Sequence, residues 1–202
     1  MPNTREIKSR ISGVEDTRKI TNAMYLIAST KLRKAKNELD QTRPYFDALR
    51  TEIKRIFRTA KNVDSKFFYP EDGTQPSGGC HGVLVVTADK GLAGAYNQNV
   101  LRLAEKMLAD HADTKLFVVG EYGRQYFESH GFPVDRSFEY TAQSPTLDRA
   151  RRIGETLLSS YDKRESERIY IVYTDFKNSL NMLSWLELQT EKGIIPRRRR
   201  KN

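Results

Sequence analysis

Between Thr4 and Ala60 the chain holds one proline, Pro44, and one glycine, Gly13, and its apolar residues recur at alternating steps of four and three. Those steps land on Ile7, Ile11, Val14, Arg18, Thr21, Tyr25, Ala28, Leu32, Ala35, Leu39, Thr42, Phe46, Leu49, Ile53, Ile56 and Ala60, and thirteen of the sixteen are apolar. A stripe at mean spacing ~3.5 held for so long marks a coiled-coil seam, because on an isolated straight helix it drifts around the axis. Ile20, Met24 and Ile27 add a second stripe, so this stretch is expected to meet more than one neighbour.

A helix over 4–60 rises ~85 Å at ~1.5 Å per residue. A compact body made from the rest of the chain measures on the order of 40 Å across. At least half of the helix is therefore expected to project beyond its own domain. If each apolar seam residue forgoes ~1 kcal/mol of burial, the loss is on the order of 13 kcal/mol, comparable to a whole domain's net stability of roughly 5–15 kcal/mol. The projecting seam needs a partner. The alternative is a break at Arg43-Pro44, giving two ordinary amphipathic helices folded back on the core. Against it, Phe46, Leu49, Ile53 and Ile56 continue the phase of Leu32, Ala35 and Leu39 without a skip.

Charge follows the same division. Of the net +9 on 202 residues, 1–60 carry +7, 61–196 carry −3 and Arg197 to Lys201 carry +5. Basic arms attract nucleic acid, anionic lipid or acidic protein surfaces equally well, so charge alone does not choose among them. Cys80 is the only cysteine, which excludes an intramolecular disulfide and a cysteine-based zinc cluster. No apolar run approaches the ~20 residues that cross a bilayer, and the first residues lack the layout of a secretory signal or transit peptide. A soluble or membrane-peripheral protein made in a reducing compartment is expected.

The middle of the chain alternates strand and helix patterns. Val83 to Thr87, Leu116 to Gly120 and Ile169 to Tyr173 are short apolar runs that read as buried strands. Helical patterns lie between them, through Val100, Leu101, Ala104, Met107 and Leu108, then Tyr122, Tyr126 and Phe127, then Leu147, Ala150, Ile153, Leu157 and Leu158. This order predicts a doubly wound α/β domain with a mostly parallel sheet. Met182 to Gln189 alternates apolar and polar residues and fits an antiparallel edge strand.

The loop Thr87 to Asn97 sits where a phosphate loop would sit in such a domain. Its glycines, Gly91 and Gly94, match neither G-x-G-x-x-G nor G-x-x-x-x-G-K-[ST], so their expected role is a tight turn and close packing. His81, His111 and His130 have no histidine or cysteine partner at helical spacing, and Cys80 beside His81 lacks a third member, which points to surface histidines and an inert thiol. No catalytic, cofactor-binding or metal-ligating residue is assigned.

Ile7 to Ile11, Thr17 to Met24 and Ala28 to Ala35 together resemble the N-terminal helix of the gamma subunit of F-type ATP synthases. Arg43-Pro44-Tyr45 and the loop Thr87 to Asn97 resemble that family's later signatures, in order and at compatible spacing, so that the resemblance extends over about 190 residues. It implies a non-catalytic central-stalk subunit of a proton-translocating ATP synthase. The long coiled-coil helix would be half of a shaft inside a hexamer of alpha and beta subunits, and a Rossmann-like domain would contact the epsilon subunit and the membrane rotor ring. The implied place is the cytoplasmic side of a bacterial inner membrane, held there through the complex, with no cofactor, small-molecule ligand or nucleic acid. Carried over by position, Lys19, Met24, Lys31, Arg33 and Lys34 would face the ring, or else be solvated charge and seam packing. Asp89, Lys90, Gly91 and Gly94 would shape the lower domain.

The expected divisions are a stalk helix at 1–60, a linker at 61–79, the Rossmann-like α/β domain at 80–196 and a basic tail at 197–202. The family's shaft has a second, C-terminal helix, and none follows the edge strand here. The sequence is therefore expected to be a fragment or truncated product, or to take that strand from another chain. The competing function, a basic nucleic-acid-binding protein using the N-terminal helix and Arg-rich tail, lacks exposed aromatics interleaved with the basic residues to stack bases.

Overall fold

The computed structural model describes residues 3–59, 80–111, 113–178 and 181–188. The expected linker 61–79 and tail 197–202 lie outside them, as do Ala60 and Gln189. The chain divides into two compact units, Met1–Ile56 and Phe57–Asn202.

The first unit is built on one helix, α1 (Thr4–Thr59), of 56 residues. Asn3 starts it: its side-chain oxygen accepts from the Arg5 N–H at 3.3 Å, and its carbonyl accepts from Glu6 and Ile7, which satisfies donors that an uncapped helix leaves open. α1 runs through Pro44 unbroken, so a pair of short helices is overturned. Proline forfeits the bond to the Asp40 carbonyl, yet the turns on both sides keep one phase. Five threonines, at 17, 21, 30, 42 and 51, each donate a hydroxyl to the carbonyl four residues back at 2.8–2.9 Å. That pattern lets a β-branched polar residue sit inside a helix without an open donor.

The second unit contains β1 (His81–Val86), α2 (Tyr96–Asp110), β2 (Thr114–Val119), α3 (Glu121–Ser129), α4 (Leu147–Asp162), β3 (Arg168–Asn178) and β4 (Asn181–Leu188). The sheet order is β2-β1-β3-β4. β1 pairs in parallel with β2 and β3, with His81 opposite both Thr114 and Arg168, and β4 closes one edge antiparallel to β3. The doubly wound, mostly parallel sheet expected from the sequence is present. Alternate residues of each strand enter opposite cores. Val83, Val85, Leu116, Val118, Tyr170 and Val172 pack with α2 and with Phe127 of α3, whereas Leu84, Phe117, Val119 and Ile169 pack with Phe138 and with Leu157 of α4. Strands covered on both faces have no polar side to show, which is why they read as continuous apolar runs.

Two details depart from the expected pattern. β3 is longer than Ile169–Tyr173, because its outer half gains a ladder with β4, with an irregularity between Phe176 and Asn178. Both α3 and α4 lie between β2 and β3, and the segment joining them bridges β2 at Leu116–Val134 and Val119–Tyr140. This segment supplies backbone partners to a strand edge that would otherwise be open: the Asp135 N–H donates to the Leu116 carbonyl, and the Gly120 N–H to the Tyr140 carbonyl, each at 2.9 Å.

Candidate partner-binding helix and the loop after β1

The apolar residues of α1 are mostly exposed, with Leu39 and Ile53 half-buried. Val14 stands 68% open, Tyr25 67%, Ile20 62% and Leu32 51%, values otherwise typical of charged side chains. Among the five expected contact residues, Lys19 pairs with Asp16 at 3.1 Å and Lys34 with Glu38 at 3.9 Å, within α1. Such solvated pairs contribute ~0–1 kcal/mol. Met24 is exposed, as are Lys31 and Arg33. At ~100° per residue, Met24 and Lys31 fall within ~20° of each other and border the seam of Tyr25, Ala28 and Leu32. Lys19, Arg33 and Lys34 point well away from it. The helix therefore brings two of the five together beside the apolar face and leaves three elsewhere.

At the carboxyl end of β1 the chain turns through a loop fixed by three polar side chains and two glycines. Thr87 is fully buried. Its hydroxyl accepts from the Gly123 N–H at 3.0 Å and lies 3.2 Å from the Val119 carbonyl, joining the ends of β1, β2 and α3. A Cβ on Gly120, whose φ is +102°, would lie 2.4 Å from the Thr87 carbonyl oxygen, and one on Gly123 would lie 2.6 Å from its hydroxyl. Only glycine fits at either place.

Asp89 is half-buried and reaches away from its own loop. One carboxylate oxygen accepts from Glu121 N–H at 3.2 Å and Ala142 N–H at 2.8 Å, and the other accepts from Gln143 N–H at 2.9 Å. It thus covers the amino end of α3 with negative charge, the place where an anionic ligand would otherwise be drawn. Asn97 is buried: its side-chain oxygen accepts from Ala88 N–H at 2.9 Å, and its amide donates to the Lys90 carbonyl at 3.3 Å. Lys90 extends its side chain into solvent. Gly94 occupies the left-handed region at φ +56°, whereas Gly91 touches only the Tyr122 ring, at 3.6 Å from a built Cβ. Leu92, between them, is 99% exposed at φ +59°. Thr87, Asn97, Gly120 and Gly123 carry as much of this loop as the residues singled out from the sequence.

At the other end of β1 the structure corrects the histidine assignment. His81 and His111 are in contact, with ring centroids 4.2 Å apart, and both rings face Tyr170. They are a packed pair rather than isolated surface histidines, brought together because one opens β1 and the other ends α2. Burial, and then the neighbouring Asp113, hold the Cys80 thiol above its ordinary range, which disfavours the reactive thiolate. Among the described residues no group of three His, Cys, Asp or Glu side chains could hold a metal ion, and no helix is long and apolar enough to cross a membrane.

A long helix of coiled-coil period, carried on the same chain as a doubly wound Rossmann-like sheet, defines the class of protein. The profile of the family described as ATP synthase matches residues 3–188. The chain belongs to that family. It is 41% identical over 184 residues to the ATP synthase gamma chain of Caldanaerobacter subterraneus subsp. tengcongensis, covering 91% of this chain and 62% of that one. It is 39% identical over 181 residues to the ATP synthase gamma chain of Ruminiclostridium cellulolyticum, covering 89% and 61%. The chain thus spans about three-fifths of the length of these two relatives. In fold it is similar to a chain of the central stalk and c-ring structure of the Tetrahymena thermophila mitochondrial ATP synthase, with a TM-score of 0.60, 20% identity, and coverage of 84% of this chain and 71% of that one.

Proposed function

We propose that this chain is a central-stalk, gamma-type subunit of a proton-translocating F-type ATP synthase, transmitting rotation between the membrane rotor and the catalytic hexamer. The observation that carries it is the exposed apolar seam of α1: Ile7, Ile11, Val14, Tyr25 and Leu32 are 44–68% open to water, a loss that a seated shaft recovers. Family membership and the likeness to gamma chains support this reading of the seam.

The partners in this reading are the alpha and beta subunits around α1, with the epsilon subunit and rotor ring against the α/β domain. The domains follow as stalk helix 1–60, linker 61–79, Rossmann-like domain 80–196 and basic tail 197–202. The subunit sits peripherally on the cytoplasmic side of a bacterial plasma membrane, through the complex. It transmits torque and makes no covalent chemistry: rotation changes which contacts the shaft offers each catalytic subunit, and differential contact energy shifts that subunit between conformations. Met24 and Lys31, beside the seam, are the foremost candidates for ring contact. Lys19, Arg33 and Lys34 present charge to other parts of the sleeve. Asp89, Lys90, Gly91 and Gly94 shape the α/β domain.

Reconstitution with alpha and beta subunits tests this. The chain, or a version extended with a C-terminal helix, is expected to enter the hexamer and to lose that ability on Leu32→Asp. Exclusion of both versions from a hexamer that accepts a known gamma chain would overturn the proposal.

A further inference from the structure

The stalk reading makes no use of the His81–His111 pair. We propose that this pair is a proton-sensitive latch, which holds the amino-terminal edge of the sheet when neutral and loosens it when the medium turns acidic.

The geometry is that of a joint. His81 opens β1, and its backbone N–H donates to the Asp113 carbonyl at 2.9 Å. His111 ends α2, and its carbonyl accepts from the Thr114 hydroxyl at 2.8 Å. The two imidazoles meet edge to face at 4.2 Å. Beneath them, Tyr170 of β3 contacts both rings, at 5.4 Å and 6.2 Å, and is itself part of the main core with Val83 and Met107. The pair thus ties β1, the end of α2, the start of β2 and β3 at one corner.

Burial at that corner opposes protonation of His81. Among the described residues the titratable groups facing His81 are His111 at the end of α2, Asp113 in the turn to β2, and Glu167 and Arg168 at the start of β3. Tyr170 lies below, and Cys80 precedes His81 in the chain. Burial first, then His111 and Arg168, hold His81 below the ordinary imidazole value, against the opposing pull of Glu167 and Asp113. The sign follows from linkage. A group whose neutral form is favoured by folding costs nothing well above the unfolded value of ~6.5. Below it the unfolded chain takes up a proton that the folded chain resists, so stability falls through that window.

The test uses the full chain, with imidazole resonances and amide exchange followed by NMR from about pH 8 to about pH 5. The His81 midpoint is expected below that of histidine in a short peptide. It should rise in His111→Phe, which keeps a ring on Tyr170 and cannot charge. After correction for intrinsic rates, the His81 and Val83 amides should exchange several-fold faster at the acid end, while those of Thr87 and Gly123, at the opposite end of the strands, stay unchanged. His111→Gln serves in place of His111→Phe if the bulkier ring prevents folding. An unchanged His81 midpoint in the variant, or equal acceleration at both ends of the sheet, would overturn the latch. Neither result bears on entry into the hexamer, so this inference and the stalk proposal fail separately.

Discussion

Leu32 and Ile20 of α1 fare differently from Leu101 and Ile169 of the sheet unit. In α1, Leu32 is 51% and Ile20 62% exposed, whereas in the sheet unit Leu101 is 1% and Ile169 8% exposed. The residue types are the same, and the period of the pattern decides the outcome. Apolar residues alternating along strands and clustered on short helices close a core within the chain. Apolar residues repeated every ~3.5 positions for many turns make a strip narrower and longer than any compact body can cover. One unit therefore stores its apolar surface as folding stability, and the other leaves it open to water.

Five substitutions probe this contrast, from the largest expected effect to the smallest. Phe127→Ala empties a fully buried site in the main core and should cost ~4 kcal/mol, read as a drop in the urea midpoint of the sheet unit while the helical signal of α1 persists. Gly120→Ala forces a Cβ against the Thr87 carbonyl at φ +102° and should cost ~3 kcal/mol in the same experiment. Asp89→Asn keeps the shape but removes a charged acceptor of three backbone N–H groups, with an expected loss of ~2 kcal/mol and faster amide exchange at Ala142 and Gln143.

Lys115→Met removes the ammonium that pairs with Asp135 at 3.2 Å and Glu165 at 2.8 Å, with an expected cost of ~1 kcal/mol near neutral pH. That loss depends on pH. Burial raises the Asp135 carboxyl, but hydrogen bonds from Ser137 and Lys115 outweigh it and leave the group below its ordinary value. The folded value is depressed, so this stabilisation is present above the unfolded value of ~3.9 and is lost as pH falls through the folded one. The gap between Lys115→Met and the natural chain should close in acid unfolding curves taken below about pH 4. Last, Tyr25→Ala on α1 should change the unfolding midpoint by less than ~0.5 kcal/mol-equivalent, yet weaken association with alpha and beta subunits. A large stability loss from Tyr25→Ala alone would break the contrast between the units.

The fold was legible because its signals are local. The seam from Ile7 to Ile56 needed only periodicity, and Val83–Val86, Leu116–Val119 and Ile169–Val172 needed only runs of apolar residues. What escaped is held by partners distant in sequence. The His81–His111 contact joins residues thirty apart that share no helix. The carboxylate of Asp89 is satisfied by N–H groups 32 to 54 residues away, so its neighbours in the chain say nothing of its job. Gly120 carried a signal, since a glycine between a buried strand and a helix marks close backbone approach, but its partner, Thr87, lies in the loop that follows another strand. On α1 the seam was legible, and the side on which each residue stands follows from helix geometry rather than from residue type: of the five expected contact residues, Met24 and Lys31 border the apolar strip.

Two threonines, Thr21 and Thr42, interrupt that strip, and both spend their hydroxyl protons on carbonyls of their own helix. To anything that slides past, these positions offer a methyl group and no donor in search of a mate. Where a threonine breaks the strip it thus remains a face of carbon and hydrogen, and Arg18 alone brings a charge into its line.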